Sequence, residues 1–180
     1  MAAAAEWIVA VEDYARSHDS LVATVGKVDA TPGAGNVIAG RVSASLDVRH
    51  ANDSLREAAA TALLALAEAA ATKRGVRVSS SMQLEQAAVP LDQHLTALLS
   101  KAAARADFPA RRMTSGAGHD AMILAPKIPS AMLFLRSPRG LSHHPDETVL
   151  PQDVEAALAT AMEFLAQLRD DRTNPKDAHA

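Results

Sequence analysis

Apolar residues recur along this chain with two different periods. Over residues 2–17, Trp7, Ile8, Val11 and Tyr14 return at three-to-four spacing among Ala and charged positions, which predicts an amphipathic helix. No Ser, Thr, Asp or Asn precedes it to bind the first amides, so the helix opens uncapped and suggests a truncated start. At Leu21 the period changes to two. Leu21–Val28 alternates apolar with small or polar residues, predicting a half-buried strand that Thr31-Pro-Gly-Ala-Gly35 ends. Arg41–Val48 alternates again with Val42, Ala44, Leu46 and Val48 on one face, and the two strands are expected to pair antiparallel.

Leu55–Thr72 is dominated by Ala and Leu and predicts a long helix, capped by Asp53 or Ser54 and stopped by Lys73-Arg74-Gly75. Val76–Leu84 returns to alternation and predicts a third strand, with Val76, Val78, Ser80, Met82 and Leu84 on one side. Helix, strand, strand, helix, strand is a ferredoxin-like βαββαβ unit without its first strand. Past Pro90, Leu91–Ala106 predicts an amphipathic helix with Leu95, Leu98 and Leu99 inward. Met113–Ala121 then reads as turn-forming, Ile128–Leu135 as a short buried strand and Ser137–Glu147 as a polar loop. Gln152–Arg169 is the last predicted helix, with Pro151 at its start. The fold class is therefore α+β, with lobes at 1–88 and 89–169 and a tail at 170–180 that is expected to be disordered.

Composition narrows the chemistry. Eighteen basic and 21 acidic residues leave a net charge of −3 with no Lys/Arg cluster, which argues against nucleic acid as a partner. No apolar run is long enough for a bilayer and no basic n-region precedes the Ala-rich start, so a cytoplasmic protein with no membrane partner is expected. There is no cysteine, which leaves His, Asp and Glu as the side chains able to hold a metal.

Two His-bearing loops carry the candidate chemistry. His119 closes Ser115-Gly-Ala-Gly-His-Asp120, and His143 and His144 lie in Gly140-Leu-Ser-His-His-Pro-Asp-Glu147. A loop His can be a metal ligand or a hydrogen-bond donor, or simply a solvated side chain. The adjacency of His143 and His144 makes both binding one ion unlikely, because neighbouring side chains diverge in extended chain. Ser115-Gly-Ala-Gly118 lacks the Lys-Ser/Thr ending of a phosphate loop. Its small residues would let backbone N–H groups approach a ligand oxygen, or would merely form a turn. Asn36 and Arg49, if both project from one end of the sheet, could hold a carboxylate; a surface ion pair is the competing reading for Arg49.

Four segments in this order carry a resemblance: Thr24-Val-Gly-Lys27 with Pro32-Gly-Ala-Gly-Asn-Val-Ile38, Leu46-Asp-Val-Arg-His50, Ser115-Gly-Ala-Gly-His-Asp-Ala121, and Gly140-Leu-Ser-His-His-Pro-Asp-Glu147. They resemble the zinc amidohydrolases of the M20 clan, in the branch of N-carbamoyl-L-amino-acid hydrolases, allantoate amidohydrolases and β-ureidopropionases. Met1 to about Leu168 is covered. The resemblance implies a zinc-dependent hydrolase of linear amide or ureido C–N bonds, with a dimerising ferredoxin-like lid at 1–88 and the C-terminal segment of an α/β catalytic domain at 89–169.

It also implies two zinc ions in the intact enzyme, replaceable by manganese or cobalt, with His143 as the last ligand. The other ligands and the general base would lie before Met1. His119 and Gly118 would contact the substrate, and Asn36 and Arg49 would hold its carboxylate. Ala39 stands where the family usually has Pro, a departure that loosens one turn. On this reading the chain is inactive alone and pairs as a homodimer, or with an N-terminal companion chain. A noncatalytic remnant or dimerisation module, and a metallodipeptidase of the same clan, are the alternatives.

Overall fold

The structure, a computed structural model, describes residues 1–108 and 110–173. The chain forms two units, Met1–Ala88 and Val89–Ala180. In the first, helix α1 spans Ala2–Arg16 and begins, as its sequence predicts, with no side-chain cap. Strands β1 (Val22–Thr24) and β2 (Val28–Thr31) then run out, and β3 (Arg41–Ala44) and β4 (Asp47–Arg49) run back. The pairing is antiparallel throughout, Val22 opposite Arg49, Thr24 opposite Asp47, Val28 opposite Ala44 and Thr31 opposite Arg41.

The two ladders form one ribbon with a bulge, because Val25–Lys27 has one residue more than the Ser45–Leu46 stretch it faces. Lys27 bridges the bulge, its N–H donating to Ser45 Oγ and its carbonyl accepting from the Ser45 N–H. At the closed end of the ribbon Gly33 has φ +68°, and a Cβ there would come 3.0 Å from the Ala30 carbonyl oxygen. No side chain fits at that position without displacing the backbone.

Helix α2 covers Asp53–Lys73 and is capped by Asn52, whose side chain accepts from the Leu55 N–H, rather than by the expected Asp53 or Ser54. Asn is as good a cap as Asp or Ser, and it is one residue closer to the strand end. The expected stop holds, with Gly75 at φ +64° just past the helix. α1 and α2 enclose Trp7, Val11, Leu63 and Ala70, and Ala23, Val25, Leu46 and Val48 pack on that cluster from the ribbon. Leu63 is fully buried. The Trp7 indole N–H donates to the Leu63 carbonyl at 2.9 Å, giving the one polar atom of the ring a partner inside the core.

The third strand expected at Val76–Leu84 is not formed. The run carries no ladder, and Val76, Val78, Met82 and Leu84 stay about half exposed or more. Alternation marks which side chains could face a core; a strand also needs a neighbour to pair with, and none pairs with this run among the described residues. It runs instead from one end of α2 to the other. The Val76 N–H donates to the Ala71 carbonyl, Glu85 approaches Arg56, and the Ala88 N–H donates to the Asp53 carboxylate.

In the second unit α3 (Gln93–Arg105) packs against α5 (Pro151–Thr173). α3 is capped by Asp92, which accepts from the Leu95 N–H at 2.8 Å, and Leu98, Ala102 and Ala103 are buried. Arg105 pairs with Glu163 across the helices at 3.0 Å. Between these helices lie a short helix α4 (Asp120–Leu124) and a turn at Pro138–Gly140. The buried strand expected at Ile128–Leu135 is absent for the same reason as the one at 76–84, and Ile128, Leu133, Phe134 and Leu135 are 39–52% exposed. α5 continues past Arg169 to Thr173, so the first residues of the expected tail are helical; residues 174–180 lie outside those described. Helices with small sheets place the chain in a mixed α and β class. No helix among the described residues is long and apolar enough to cross a membrane.

Candidate functional site

Arg49 is the last residue of β4, and strand alternation turns it away from the helix-packed face that Val48 joins. The same alternation puts Asp47, two residues earlier, beside it. Arg49 Nε and Nη2 donate to the two Asp47 carboxylate oxygens at 2.7 and 2.9 Å, a bidentate pair. The guanidinium holds the Asp47 carboxyl below its ordinary value, and Asp47 raises the Arg49 pKa in return. Both side chains are half exposed. The structure thus shows the surface ion pair that is the competing reading for Arg49, on the ribbon's face away from the helices.

Asn36 lies in the exposed loop 32–40, beyond the Thr31–Arg41 pair that closes the ribbon. Arg49 is at the opposite end, where β1 begins. The expectation that one end of the sheet presents both residues is therefore not met. Its reason is topological: a hairpin puts its connecting loop at one end and its chain entry and exit at the other.

In the second unit His119 is the N-cap residue of α4, with extended backbone and its carbonyl accepting from the Met122 N–H at 2.9 Å. Its ring is half buried, tilted at 58° against Phe134 with 5.3 Å between ring centres. His119 Nε2 lies 2.7 Å from Ser115 Oγ. Ser115 Oγ also accepts from the Ala117 N–H at 3.2 Å, so the short segment folds onto the Ser hydroxyl. Gly118 has room for a methyl group, which would reach no closer than 4.0 Å to Met122 Sδ, and Gly116 faces open space. A side chain would thus meet no steric conflict at either glycine, and Gly118 is exposed.

His143 sits at φ +57°, unusual for a residue with a Cβ. Two contacts hold it there. Its N–H donates to Glu147 Oε2 at 2.7 Å, and its Nδ1 meets Ser142 Oγ at 3.0 Å. That leaves Nε2 of an exposed ring as the atom able to bind a ligand. His144 turns into its own loop instead, Nδ1 accepting from the Asp146 N–H. Among the described residues no group of three or more His, Asp or Glu side chains converges on a point that could hold a metal. A metal site takes three or four protein ligands, so these residues offer one donor, His143, and do not by themselves form a site.

Sequence reasoning missed the holders of these residues: Asp47 for Arg49, Ser115 for His119, Ser142 and Glu147 for His143. The signals were short-range spacings. Position i+2 on a strand, and neighbours one or four residues away in a tight loop, bring side chains together regardless of the wider fold.

A model of the peptidase family M20/M25/M40 matches residues 11–169. An allantoate amidohydrolase of Bacillus subtilis (strain 168) is 33% identical over 150 residues, which cover 83% of this chain and 36% of that protein. An N-carbamoyl-L-amino acid amidohydrolase of Geobacillus stearothermophilus is 36% identical over 153 residues, 85% of this chain and 37% of that protein. Among solved structures, an amidase of the hydantoinase/carbamoylase family from Burkholderia multivorans superposes with a TM-score of 0.84 at 29% identity, over 90% of this chain and 40% of that one. The chain thus spans well under half the length of the relatives it matches. With the match running through both units, the chain belongs to the peptidase family M20/M25/M40.

Proposed function

We propose that this chain is the substrate-binding part of a metal-dependent amidohydrolase that cleaves a linear, non-peptide C–N bond in a carboxylate-bearing ureido or amide compound, such as an N-carbamoyl amino acid or allantoate. The observation that carries this is the pairing of family membership with Arg49, a cation held outward by Asp47 at the end of a strand. Relatives named for allantoate and for N-carbamoyl amino acids support the substrate class. In this reading Arg49 takes the substrate carboxylate and His119 with the backbone at Gly118 binds an oxygen at the scissile group, while Asn36, at the far end of the ribbon, does not reach a substrate held at Arg49.

Metal dependence belongs to the same reading. His143 supplies one zinc ligand, with manganese or cobalt able to substitute, and the remaining ligands and the general base come from a segment outside this chain. Residues 1–88 correspond to a ferredoxin-like lid, through which two copies pair, and residues 89–169 to the closing part of the catalytic domain. The chain alone is then inactive.

The test joins the preceding segment of the Bacillus subtilis allantoate amidohydrolase to this chain and measures ammonia release from allantoate and N-carbamoyl amino acids with zinc, manganese or cobalt. Turnover is expected from the joined, metal-loaded protein and not from residues 1–180. Arg49→Ala should raise KM by roughly tenfold or more, the size of one lost charge-assisted contact. Metal-dependent turnover by the chain alone would overturn the claim that it is incomplete. A folded, metal-loaded joined protein inert towards both substrates would overturn the assignment.

A further inference from the structure

We propose that Ser115 is a positioning residue that fixes the tautomer of His119, leaving the neutral ring protonated on Nδ1 and that N–H available to a substrate oxygen. The inference rests on the reading of His119 as a substrate contact. A hydroxyl has one proton to give and two lone pairs to offer. The Ala117 N–H occupies one lone pair of Ser115 Oγ at 3.2 Å. The proton can then go to His119 Nε2 at 2.7 Å or to the Ala117 carbonyl at 3.3 Å. The shorter contact has the length of a good O–H donor bond, while the longer is beyond the usual range for a hydroxyl. On these lengths we assign the hydroxyl proton to Nε2, which then carries the lone pair; the opposite tautomer would have Nε2–H donate to the second lone pair of Oγ and leave the hydroxyl proton to the 3.3 Å contact.

The consequence is chemical. A neutral imidazole with Nε2 as acceptor has its proton on Nδ1, and Nδ1 has no hydrogen-bond partner among the described residues. The ring cannot easily turn to exchange the two nitrogens, because Phe134 lies against it and its backbone is fixed at the start of α4. The segment thus presents a neutral donor at a defined place beside the open backbone of Gly118. A donor of this kind can bind a carbonyl or carboxylate oxygen without bringing a full charge into the site.

The experiment is long-range proton–nitrogen NMR of the imidazole rings in the full chain labelled with nitrogen-15, above the pH at which the rings are neutral. His119→Gln assigns the His119 signals by their loss. Nδ1 is expected at the protonated position and Nε2 at the unprotonated one. In Ser115→Ala the two should exchange towards the Nε2-protonated form that free imidazole side chains favour, and Ser115→Thr, which keeps a hydroxyl, should restore the wild-type pattern. An Nε2-protonated ring in the wild type, or an unchanged pattern in Ser115→Ala, would overturn the inference. If Ser115→Ala does not fold, the wild-type tautomer still decides.

The reading on which this rests is tested separately, in the joined enzyme. There Ser115→Ala should raise KM more than it lowers kcat, with Ser115→Thr restoring KM. A correct tautomer with unchanged KM and kcat would leave the ring assignment standing and remove His119 from substrate contact.

Discussion

The two units hold their candidate residues by different means. In the first, the outward-facing residues ride on a ribbon whose inner face is held by a core assembled over long sequence distance, with Trp7 bonded to Leu63 and Ala23 and Val48 packed on the cluster they belong to. In the second, His119 and His143 lie on irregular chain and take their side-chain hydrogen bonds from groups at most four residues away, Ser115, Ser142 and Glu147, with Phe134 packed on the His119 ring. A site on a ribbon inherits the stability of the fold beneath it, whereas a site in a loop can be tuned one hydrogen bond at a time. Damage to the core should therefore disturb Arg49 without disturbing His119.

The largest test of that contrast is Leu63→Ala. Loss of a fully buried leucine should cost about 3 kcal/mol in urea denaturation, with amide exchange rising along α1, α2 and the ribbon while α3 and α5 keep their protection. Equal loss of protection in α3 and α5 would show that the units do not fold independently. Trp7→Phe is smaller. It keeps most of the apolar surface, removes the bond to the Leu63 carbonyl, and should cost about 1–2 kcal/mol in the same measurement.

Asp92→Ala probes the second unit alone. It removes the cap on α3 and should destabilise that helix by about 1 kcal/mol, seen as faster exchange in its first turn with no change in α2.

Acid should act on the first unit through Glu6 and Asp47 and on the second through Glu163, and this is the mildest effect. Glu6, held by Lys73 and Arg74, and Glu163, held by Arg105 and then Gln167, both have pKa values below their ordinary 4.5. A carboxylate with a lowered folded value contributes stability that is complete above its unfolded value and lost as pH falls through the folded one. Stability should hold from neutral pH to about 4.5 and fall as pH drops below it, and Glu6→Gln should reduce the fall for the first unit only. An unaltered pH curve in Glu6→Gln would mean that the exposed pairs contribute nothing measurable.

The helices were readable from sequence because their signals are local: Ala-rich runs, apolar residues at three-to-four spacing, and caps within a residue or two of where they stand. The ribbon was readable too, since two alternating runs flank a Pro-Gly break. The runs at 76–84 and 128–135 were misread as strands because alternation specifies faces and leaves the pairing partner unspecified. Asn36 and Arg49 were placed at one end of the sheet for a related reason. Each lies next to a strand terminus in sequence, and only the register shows that the two termini are opposite ends. His119 and His143 were found by residue type and by resemblance, while Ser115 and Glu147 passed as filler because a single hydroxyl or carboxylate carries no pattern.

The run after α2 has both ends tied to that one helix, at Ala71 and at Asp53. It behaves as a handrail bolted at top and bottom. A protease cut within 77–84 would leave 85–88 tied to α2 through exposed contacts at Arg56 and Asp53, worth about 1 kcal/mol or less each, so that stub should detach once the run is cut.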